Sequence, residues 1–209
     1  MKIAFYGSSL LSSYWNGAAT YYRGILSELA KRGYDIHFYE PDAFERQQHR
    51  DIDPPEWAEV TVYPATIDAA RAVLAEAAKA DIVVKASGVG VFDDELLEGV
   101  LDEAAPNATR IYWDVDAAAT LEEIGQAPDH PLRRRLPEFD LVLTYGGGPP
   151  VVNNYRQFGA RDCIPIYNAL DPATHHPVPA NERFAADLSF LANRLPDREA
   201  RVEEFFLRA

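Results

Sequence analysis

The chain has 209 residues, of which 47% are hydrophobic and 25% charged, enough for one large α/β domain or one domain and part of another. Its formal net charge of −13 predicts that neither nucleic acid nor an anionic membrane surface is its main partner, because an acidic surface repels phosphate. The single cysteine, Cys163, excludes an internal disulfide and a metal–thiolate cluster.

The first element is predicted to be a buried strand at residues 3–6. Its apolar run is too short for a signal peptide or a membrane span, so we expect a cytoplasmic protein without membrane insertion. A polar loop follows at residues 7–17, and then a helix with one continuous apolar face. That face consists of Ala18, Tyr21, Tyr22, Ile25, Leu26 and Leu29.

Short β-rich runs alternate with segments of helical period through the rest of the first 168 residues. The predicted strands are 35–39, 60–63, 82–86, 110–113, 141–145 and 164–166. The predicted helices are 66–78, 93–104, 118–124 and 149–158, and Thr66 is a suitable N-cap. This alternation predicts an α/β fold, a Rossmann-like parallel sheet with helices on both faces.

The composition changes after residue 168, which predicts three segments. Residues 1–168 form the Rossmann-like domain, and residues 169–186 form a proline-bearing linker without apolar period. Residues 187–209 then comprise a strand, 187–191, and a helix from Pro196 onward. One strand and one helix cannot bury a core, so we expect the natural chain to continue into a second domain.

Two glycine-bearing loops are predicted at the carboxyl ends of strands, where doubly wound folds bind ligands. The first contains Gly7, Ser8, Asn16 and Gly17, and an ordinary strand-to-helix loop is its alternative interpretation. The second begins at Gly88. It is not a dinucleotide fingerprint, because Asp93 replaces the third glycine and would repel a pyrophosphate.

Two further positions at strand ends are candidates for ligand binding. Lys85 lies in an otherwise apolar strand. Its side chain is expected to reach an acidic partner or a ligand, and the alternative is a position at an edge of the sheet. Tyr145, Gly146 and Gly147 follow another strand, and the glycines permit close backbone approach to a ligand.

Asp114 and Asp116 follow the strand at residues 110–113. Alternate positions of an extended chain point the same way, so the two carboxylates are candidates for a general base or for binding a hydroxyl group. An N-cap role for Asp116 is the alternative. The pair His175–His176 has no carboxylate at ligand spacing, and no metal site is predicted.

Three motifs together resemble the GT-B glycosyltransferases, and most nearly their spore-maturation-protein-like and glycogen-synthase-like group. The first runs from Trp15-Asn16-Gly17 through Leu29 to Arg32-Gly33-Tyr34-Asp35-Ile36. The second is Ile164-Pro165-Ile166-Tyr167-Asn168-Ala169-Leu170-Asp171-Pro172, followed by His176-Pro177. The third is Leu188-Ser189-Phe190-Leu191-Ala192-Asn193-Arg194. Their order and spacing extend over essentially the whole chain.

The resemblance implies two Rossmann-like domains that face each other across a cleft and transfer a hexose from a nucleotide-sugar donor to a hydroxyl acceptor. The nucleotide-sugar is a substrate, and no cofactor or metal is implied. Gly17 would lie near the donor phosphates, Asp114 beside the acceptor, and Asn193 and Arg194 would begin the donor-domain loop. Ala18 and Ala169 replace glycines that are common in the family.

The family's acidic donor motif would lie beyond residue 209, so this chain alone is expected to bind donor weakly and to catalyse little. Two alternatives stay open. The chain could be a non-catalytic carbohydrate- or nucleotide-binding module with the same fold. It could also be another Rossmann-like enzyme, such as a dehydrogenase or an epimerase, against which the incomplete glycine fingerprint argues.

Overall fold

The computed structural model describes residues 1–191 and 196–208. The chain divides into two compact units, Met1–Thr174 and His175–Ala209. The division falls within the predicted linker. That residues 187–209 begin a donor-binding domain stays a prediction.

The first unit is built on one parallel sheet of seven strands in the order β3-β2-β1-β4-β5-β6-β7. The strands are β1 (Lys2–Tyr6), β2 (Asp35–Asp42), β3 (Ala58–Pro64), β4 (Ile82–Ala86), β5 (Thr109–Asp114), β6 (Leu141–Thr144) and β7 (Cys163–Pro165). The predicted fold class is confirmed. The strand order reverses at β1, which pairs with both β2 and β4, and this switch point is where doubly wound sheets form a ligand crevice.

In the first unit, all of which the structure describes, six α-helices connect the strands: α1 (Ala18–Lys31), α2 (Ile67–Leu74), α3 (Asp93–Glu103), α4 (Ala117–Gln126), α5 (Pro131–Arg135) and α6 (Gly148–Gln157). Thr66 caps α2 by accepting a hydrogen bond from the Ala69 amide, as predicted. Among these helices, α5 alone is absent from the sequence prediction. It has 5 residues, too few to show a helical period, and it is defined by Pro131 and by the His130 ring, which accepts from the Leu132 amide.

Alternation along β1 supplies the two halves of the core. Phe5 faces the α1 side, where its ring stacks on Phe38 with centroids 5.0 Å apart. Tyr6 faces the opposite side, under α2 and α3, and its hydroxyl donates to the Val73 carbonyl. Both faces of the sheet are therefore covered, and the polar groups collect in the loops at the strand ends.

The second unit contains a helix, α7 (Pro196–Val202), which continues as a π-helical turn at Glu203–Leu207. The predicted helix is confirmed. The predicted strand at 187–191 is wrong, because these residues form bends and irregular backbone. A strand requires a hydrogen-bonded neighbour, and the described part of this unit supplies none.

Among the described residues, no helix is both long enough and apolar enough to cross a membrane.

Candidate functional site

Every predicted site residue that the structure describes lies at the carboxyl end of a strand or in the loop that follows it. Gly7, Ser8, Asn16 and Gly17 lie between β1 and α1, and Lys85 and Gly88 lie at the end of β4. Asp114 is the last residue of β5 and Asp116 lies just after it, and Tyr145, Gly146 and Gly147 follow β6. Asn193 and Arg194 lie outside the described residues.

The β1–α1 loop is folded around buried polar side chains. The Ser8 hydroxyl donates to the Asn16 side chain over 3.0 Å, and the Asn16 amide donates to the carbonyls of Ser9 and Ser12 over 3.1 and 3.2 Å. Ser8 and Asn16 therefore hold the loop in shape. A Cβ at Gly7 would come within 2.6 Å of the Phe38 ring, which explains the glycine there by packing.

Glu40, at the end of β2, is completely buried and occupies the inside of this loop. Its carboxylate accepts hydrogen bonds from the Leu10 and Leu11 amides, from the Ser9 hydroxyl over 2.9 Å and from the Gln47 side chain over 2.6 Å. The amides that an anionic ligand would use in this part of the loop are thus bonded to a carboxylate of the protein itself.

Arg46 bridges the loops on the two sides of the switch point. It is 7% exposed, and its Nη1 donates to the carbonyls of Ser8 and Val89 over 3.1 and 3.2 Å. Its buried Nε has no hydrogen-bond partner among the described residues. Burial lowers the pKa of the guanidinium, and the charges of Glu40 and Asp93 oppose that change.

Lys85 is 1% exposed and reaches an acidic partner, the first of the two predicted possibilities. Its Nζ lies 2.7 Å from the Asp93 carboxylate and 2.7 Å from the Ala86 carbonyl oxygen. Burial lowers the pKa of Lys85, and the charge of Asp93 opposes that change. Burial alone would raise the pKa of Asp93, but the charge and hydrogen bond of Lys85 outweigh burial, so the pKa of Asp93 is lowered.

Asp93 also accepts hydrogen bonds from the Val89 and Gly90 amides, over 3.2 and 2.7 Å. Its carboxylate therefore fills the place that a phosphate takes in a dinucleotide-binding loop. This arrangement explains physically why the loop after Gly88 is not a dinucleotide fingerprint, since Asp93 already occupies the amides.

A polar cleft of about 250 Å³ lies beside this ion pair, at the ends of β4 and β5. Its lining includes Lys85, Ser87, Gly88, Asp93, Thr120 and His130. It is the part of the first unit where the predicted β4 residues face an open space.

The two predicted carboxylates differ completely in their surroundings. Asp114 is fully buried and accepts from the Ser87 hydroxyl (2.9 Å), the Asp116 amide (3.0 Å), the Thr120 hydroxyl (2.9 Å) and the Tyr155 hydroxyl. It ties together the loops after β4 and β5 and the helices α4 and α6. The expectation that both carboxylates point the same way is corrected, because the extended backbone ends at Asp114.

Asp116 is exposed and occupies the N-cap position of α4, but its side chain makes no capping hydrogen bond. The Asp114 carboxylate holds its amide. Burial raises the pKa of the Tyr145 hydroxyl, and the charges of Asp116 and Asp114 add to that effect.

The glycines after β6 differ in the reason for their presence. Gly147 has φ 87°, and a Cβ there would collide with the Val151 side chain, so the backbone requires glycine. At Gly146, as at Gly17 in the first loop, a Cβ would meet no atom within 4 Å, so both positions border open space.

The helix N-termini at this edge also differ in charge. Helix α1 begins after Gly17 without an acidic residue in its first turn and without a side-chain cap. Helix α3 begins with Asp93, Asp94 and Glu95. A helix N-terminus favours an anion, and α3 meets that preference with its own carboxylates.

Three residues of the candidate site were not predicted from the sequence: Glu40, Arg46 and Tyr155. The role of the Asp93 carboxylate as an acceptor for the loop amides was not predicted either. Glu40 directly follows a β-rich run, and its position at a strand end was a usable signal. Arg46 lies in a loop without period and Tyr155 on a helix face, and neither carries a local signal.

Comparison with known proteins finds a similar fold in a solved glycosyltransferase structure. No protein-family model matches the sequence, and no curated protein matches it. A solved structure of an alpha-glucosyltransferase in complex with UDP-glucose and DNA containing an abasic site is similar, with a TM-score of 0.51 and 11% identity. The match covers 78% of this chain and 41% of that chain, so the present chain spans less than half of its neighbour. The likeness shows a shared Rossmann-like fold.

The same neighbour corrects the prediction that excluded nucleic acid as a partner. That protein was solved with DNA, so the exclusion, which rested on net charge, was wrong. Net charge sums the whole surface, whereas a local arrangement of charges decides binding.

Proposed function

We propose that the chain is the acceptor-side domain of a GT-B glycosyltransferase of the hexosyltransferase type, nearest to the spore-maturation-protein-like group. It would transfer a sugar from a nucleotide-sugar to a hydroxyl acceptor. The observation that carries the proposal is the fold shared with an alpha-glucosyltransferase in complex with UDP-glucose, over 78% of this chain. UDP-glucose is accordingly the first donor to test.

Asp116 is the proposed general base, because it is the exposed carboxylate at the end of β5 and its side chain caps no helix. In an inverting reaction Asp116 would take the proton of the acceptor hydroxyl. The acceptor oxygen forms a bond to the anomeric carbon, and the bond to the phosphate oxygen breaks to release the nucleoside diphosphate. Asp114 would position Asp116 through the hydrogen bond to its amide. A retaining reaction would not need this base.

The donor phosphates are proposed to approach the N-terminus of α1 at Gly17, where the helix end is not neutralised. A second domain in cis would supply most of the donor site, with Asn193 and Arg194 at its beginning. The nucleotide-sugar is the substrate, and the proposal includes no resident cofactor. A cytoplasmic location remains a prediction.

A non-catalytic carbohydrate-binding module is the second candidate function. It is favoured by one observation: Asp114 is fully buried and accepts four hydrogen bonds, so only one of the two predicted acids is accessible. Such a module would keep the binding surface without turnover.

Nucleoside diphosphate release from UDP-glucose and other nucleotide-sugars, with neutral glycans as acceptors, separates the two. The assay uses this chain and the longest product of its reading frame. Asp116→Asn should lower turnover by about 100-fold or more, whereas Asp53→Asn, an exposed acid in another loop, should not change it. Undiminished turnover in Asp116→Asn would overturn the base assignment. Ligand binding without turnover in either protein would favour the binding module.

A further inference from the structure

Three aromatic rings form an exposed group beside the candidate site, which we name the aromatic platform: Tyr14, Trp15 and His49. The Tyr14 ring stacks on the His49 ring with centroids 4.0 Å apart and an interplanar angle of 23°. The Trp15 ring stands nearly perpendicular to Tyr14, at 81° and 6.2 Å. Trp15 is 61% exposed and Tyr14 36%, so both present apolar surface to solvent.

Hydrogen bonds lock the two segments that carry these rings. The Ser12 hydroxyl donates to the His49 carbonyl over 2.8 Å, and the Ser13 amide and hydroxyl donate to the Asp51 carboxylate over 3.0 and 2.9 Å. Arg23, on α1, donates to both oxygens of Asp51 over 2.9 and 2.7 Å. The platform is therefore held in place before any ligand arrives, which lowers the entropic cost of binding.

The backbone at Trp15 is in a conformation that a bulky residue rarely adopts. Its φ is 50°, in the left-handed region that favours glycine. The indole does not repay this strain by burial, because more than half of it is exposed to solvent. A strained tryptophan that is mostly exposed gains little from burial, and such strain is typical of positions that bind a ligand.

The surroundings of the platform determine the chemical class of that ligand. The Leu10 and Leu11 amides of the same loop are bonded to Glu40, which leaves them unable to hold a phosphate. An exposed aromatic face flanked by the Ser13 hydroxyl and the partly exposed Asp51 carboxylate suits a neutral ring with an apolar face and hydroxyl groups at its edge.

We propose that the aromatic platform binds a pyranose ring of the acceptor, and that the acceptor is therefore a carbohydrate. The C–H face of the sugar packs against the indole of Trp15, and its hydroxyls reach Ser13 and Asp51. The role as acceptor rests on the proposed function. The binding of a glycan does not, because it needs neither donor nor turnover.

Nucleic-acid bases also stack on aromatic side chains, and the structural neighbour was solved with DNA. The local Asp51 carboxylate and the internally bonded Leu10 and Leu11 amides favour the uncharged sugar over a phosphate at the platform. A single-stranded oligodeoxynucleotide is therefore the competing ligand in the test.

The test is a neutral-glycan array followed by calorimetric titration of the best glycan, in parallel with a decanucleotide of single-stranded DNA. Wild type is compared with Trp15→Gly, which removes the indole and accepts the same φ without strain. Tyr167→Ala is the matched control, since Tyr167 is 62% exposed but lies after β7, outside the platform. Circular dichroism verifies that each variant is folded.

Glycan binding should weaken by more than about tenfold in Trp15→Gly and be unchanged in Tyr167→Ala. Equal affinity in Trp15→Gly and wild type would overturn the proposal, as would the absence of binding to every glycan on the array. Tighter binding of the decanucleotide than of any glycan, lost in Trp15→Gly, would overturn it in favour of nucleic acid. Glycan binding that depends on Trp15, with no turnover even in the longest product of the reading frame, would keep the platform and remove the proposed function.

Discussion

The loops after β1 and β4 lie on the two sides of the switch point, and both satisfy their inward-facing backbone amides in the same way. Each turns backbone amides inward, and each bonds those amides to a carboxylate of the protein, Glu40 in one loop and Asp93 in the other. The helices that follow differ. Helix α3 starts with three acidic residues, whereas α1 starts at Gly17 with none.

This difference shows that topology alone does not create an anion site. A loop at a switch point can bind an anion only if its amides and its helix end are not already satisfied. By that criterion the β4–α3 loop is closed to phosphate, while the N-terminus of α1 is open to it. The cations do not follow this division, because Lys85 is paired with Asp93 while Arg46 donates to carbonyls of both loops.

The largest expected effect on stability is in the β4–α3 loop. Asp93→Ala removes three hydrogen bonds, one of which is the bond from the buried Lys85 ammonium. It should lower the free energy of unfolding by about 3 kcal/mol. Asp94→Ala, one residue further along α3, should change it by less than about 0.5 kcal/mol. Urea unfolding of both variants measures the comparison, and similar losses would show that the Lys85–Asp93 pair does not stabilise this loop.

The matching change in the β1–α1 loop is Glu40→Gln. The amide keeps one acceptor oxygen but loses the charge and the second acceptor, so the Leu10 and Leu11 amides lose bonds to a carboxylate. We expect a loss of about 2 kcal/mol in unfolding free energy. The exposed Glu45→Gln is the control. No loss in Glu40→Gln would mean that an uncharged acceptor satisfies this loop equally well.

Two glycines test the backbone of the loops. Gly90 has φ 95°, and a Cβ there would meet the Phe44 ring at 2.7 Å, so Gly90→Ala should cost about 1.5 kcal/mol. Gly17 has φ −61° and open space around it, and Gly17→Ala should be close to neutral. Thermal unfolding measures both; a Gly17→Ala loss as large as that of Gly90→Ala would contradict the difference between the loops.

The smallest effect concerns pH at the platform. Hydrogen bonds from Arg23 hold the pKa of Asp51 well below its ordinary value, with smaller help from Ser13. A lowered carboxylate pKa contributes stability above the unfolded pKa of about 4 and loses it as the pH falls toward the folded value. Asp51 is 42% exposed, so solvent screening limits the contribution to less than about 1 kcal/mol.

The check is the difference in urea unfolding free energy between wild type and Asp51→Asn. It should be present at pH 7 and shrink at pH 3. A difference that grows as the pH falls would have the wrong sign for a salt bridge with Arg23.

Local patterns in the sequence were sufficient for most of the first unit. The apolar runs at β1 and β4 and the period of α1 each report one element, because burial on a sheet face or helix face repeats at short range. The strand predicted at 187–191 failed for the opposite reason. Strand formation depends on a neighbour elsewhere in the chain, and an apolar run does not reveal whether that neighbour exists.

The site shows the same limit. The spacing of Asp114 and Asp116 predicted two carboxylates at one strand end, but the burial of Asp114 depends on Ser87 and Tyr155, which lie 27 and 41 residues away. In the sequence Asp93 is only the residue that breaks a glycine fingerprint, and the structure gives it a partner in Lys85. Arg46 has no local signal, because its importance arises only where two loops meet.

The most direct test is a titration of the ¹⁵N-labelled longest product of the reading frame with UDP-glucose, followed by amide chemical shifts. We expect the largest changes at Gly17 and Ala18, at the N-terminus of α1, and no change at Val89 and Gly90, whose amides are bonded to Asp93. Changes centred on Val89 and Gly90, or no change anywhere in the first unit, would contradict the assignment of this edge to a nucleotide-sugar enzyme.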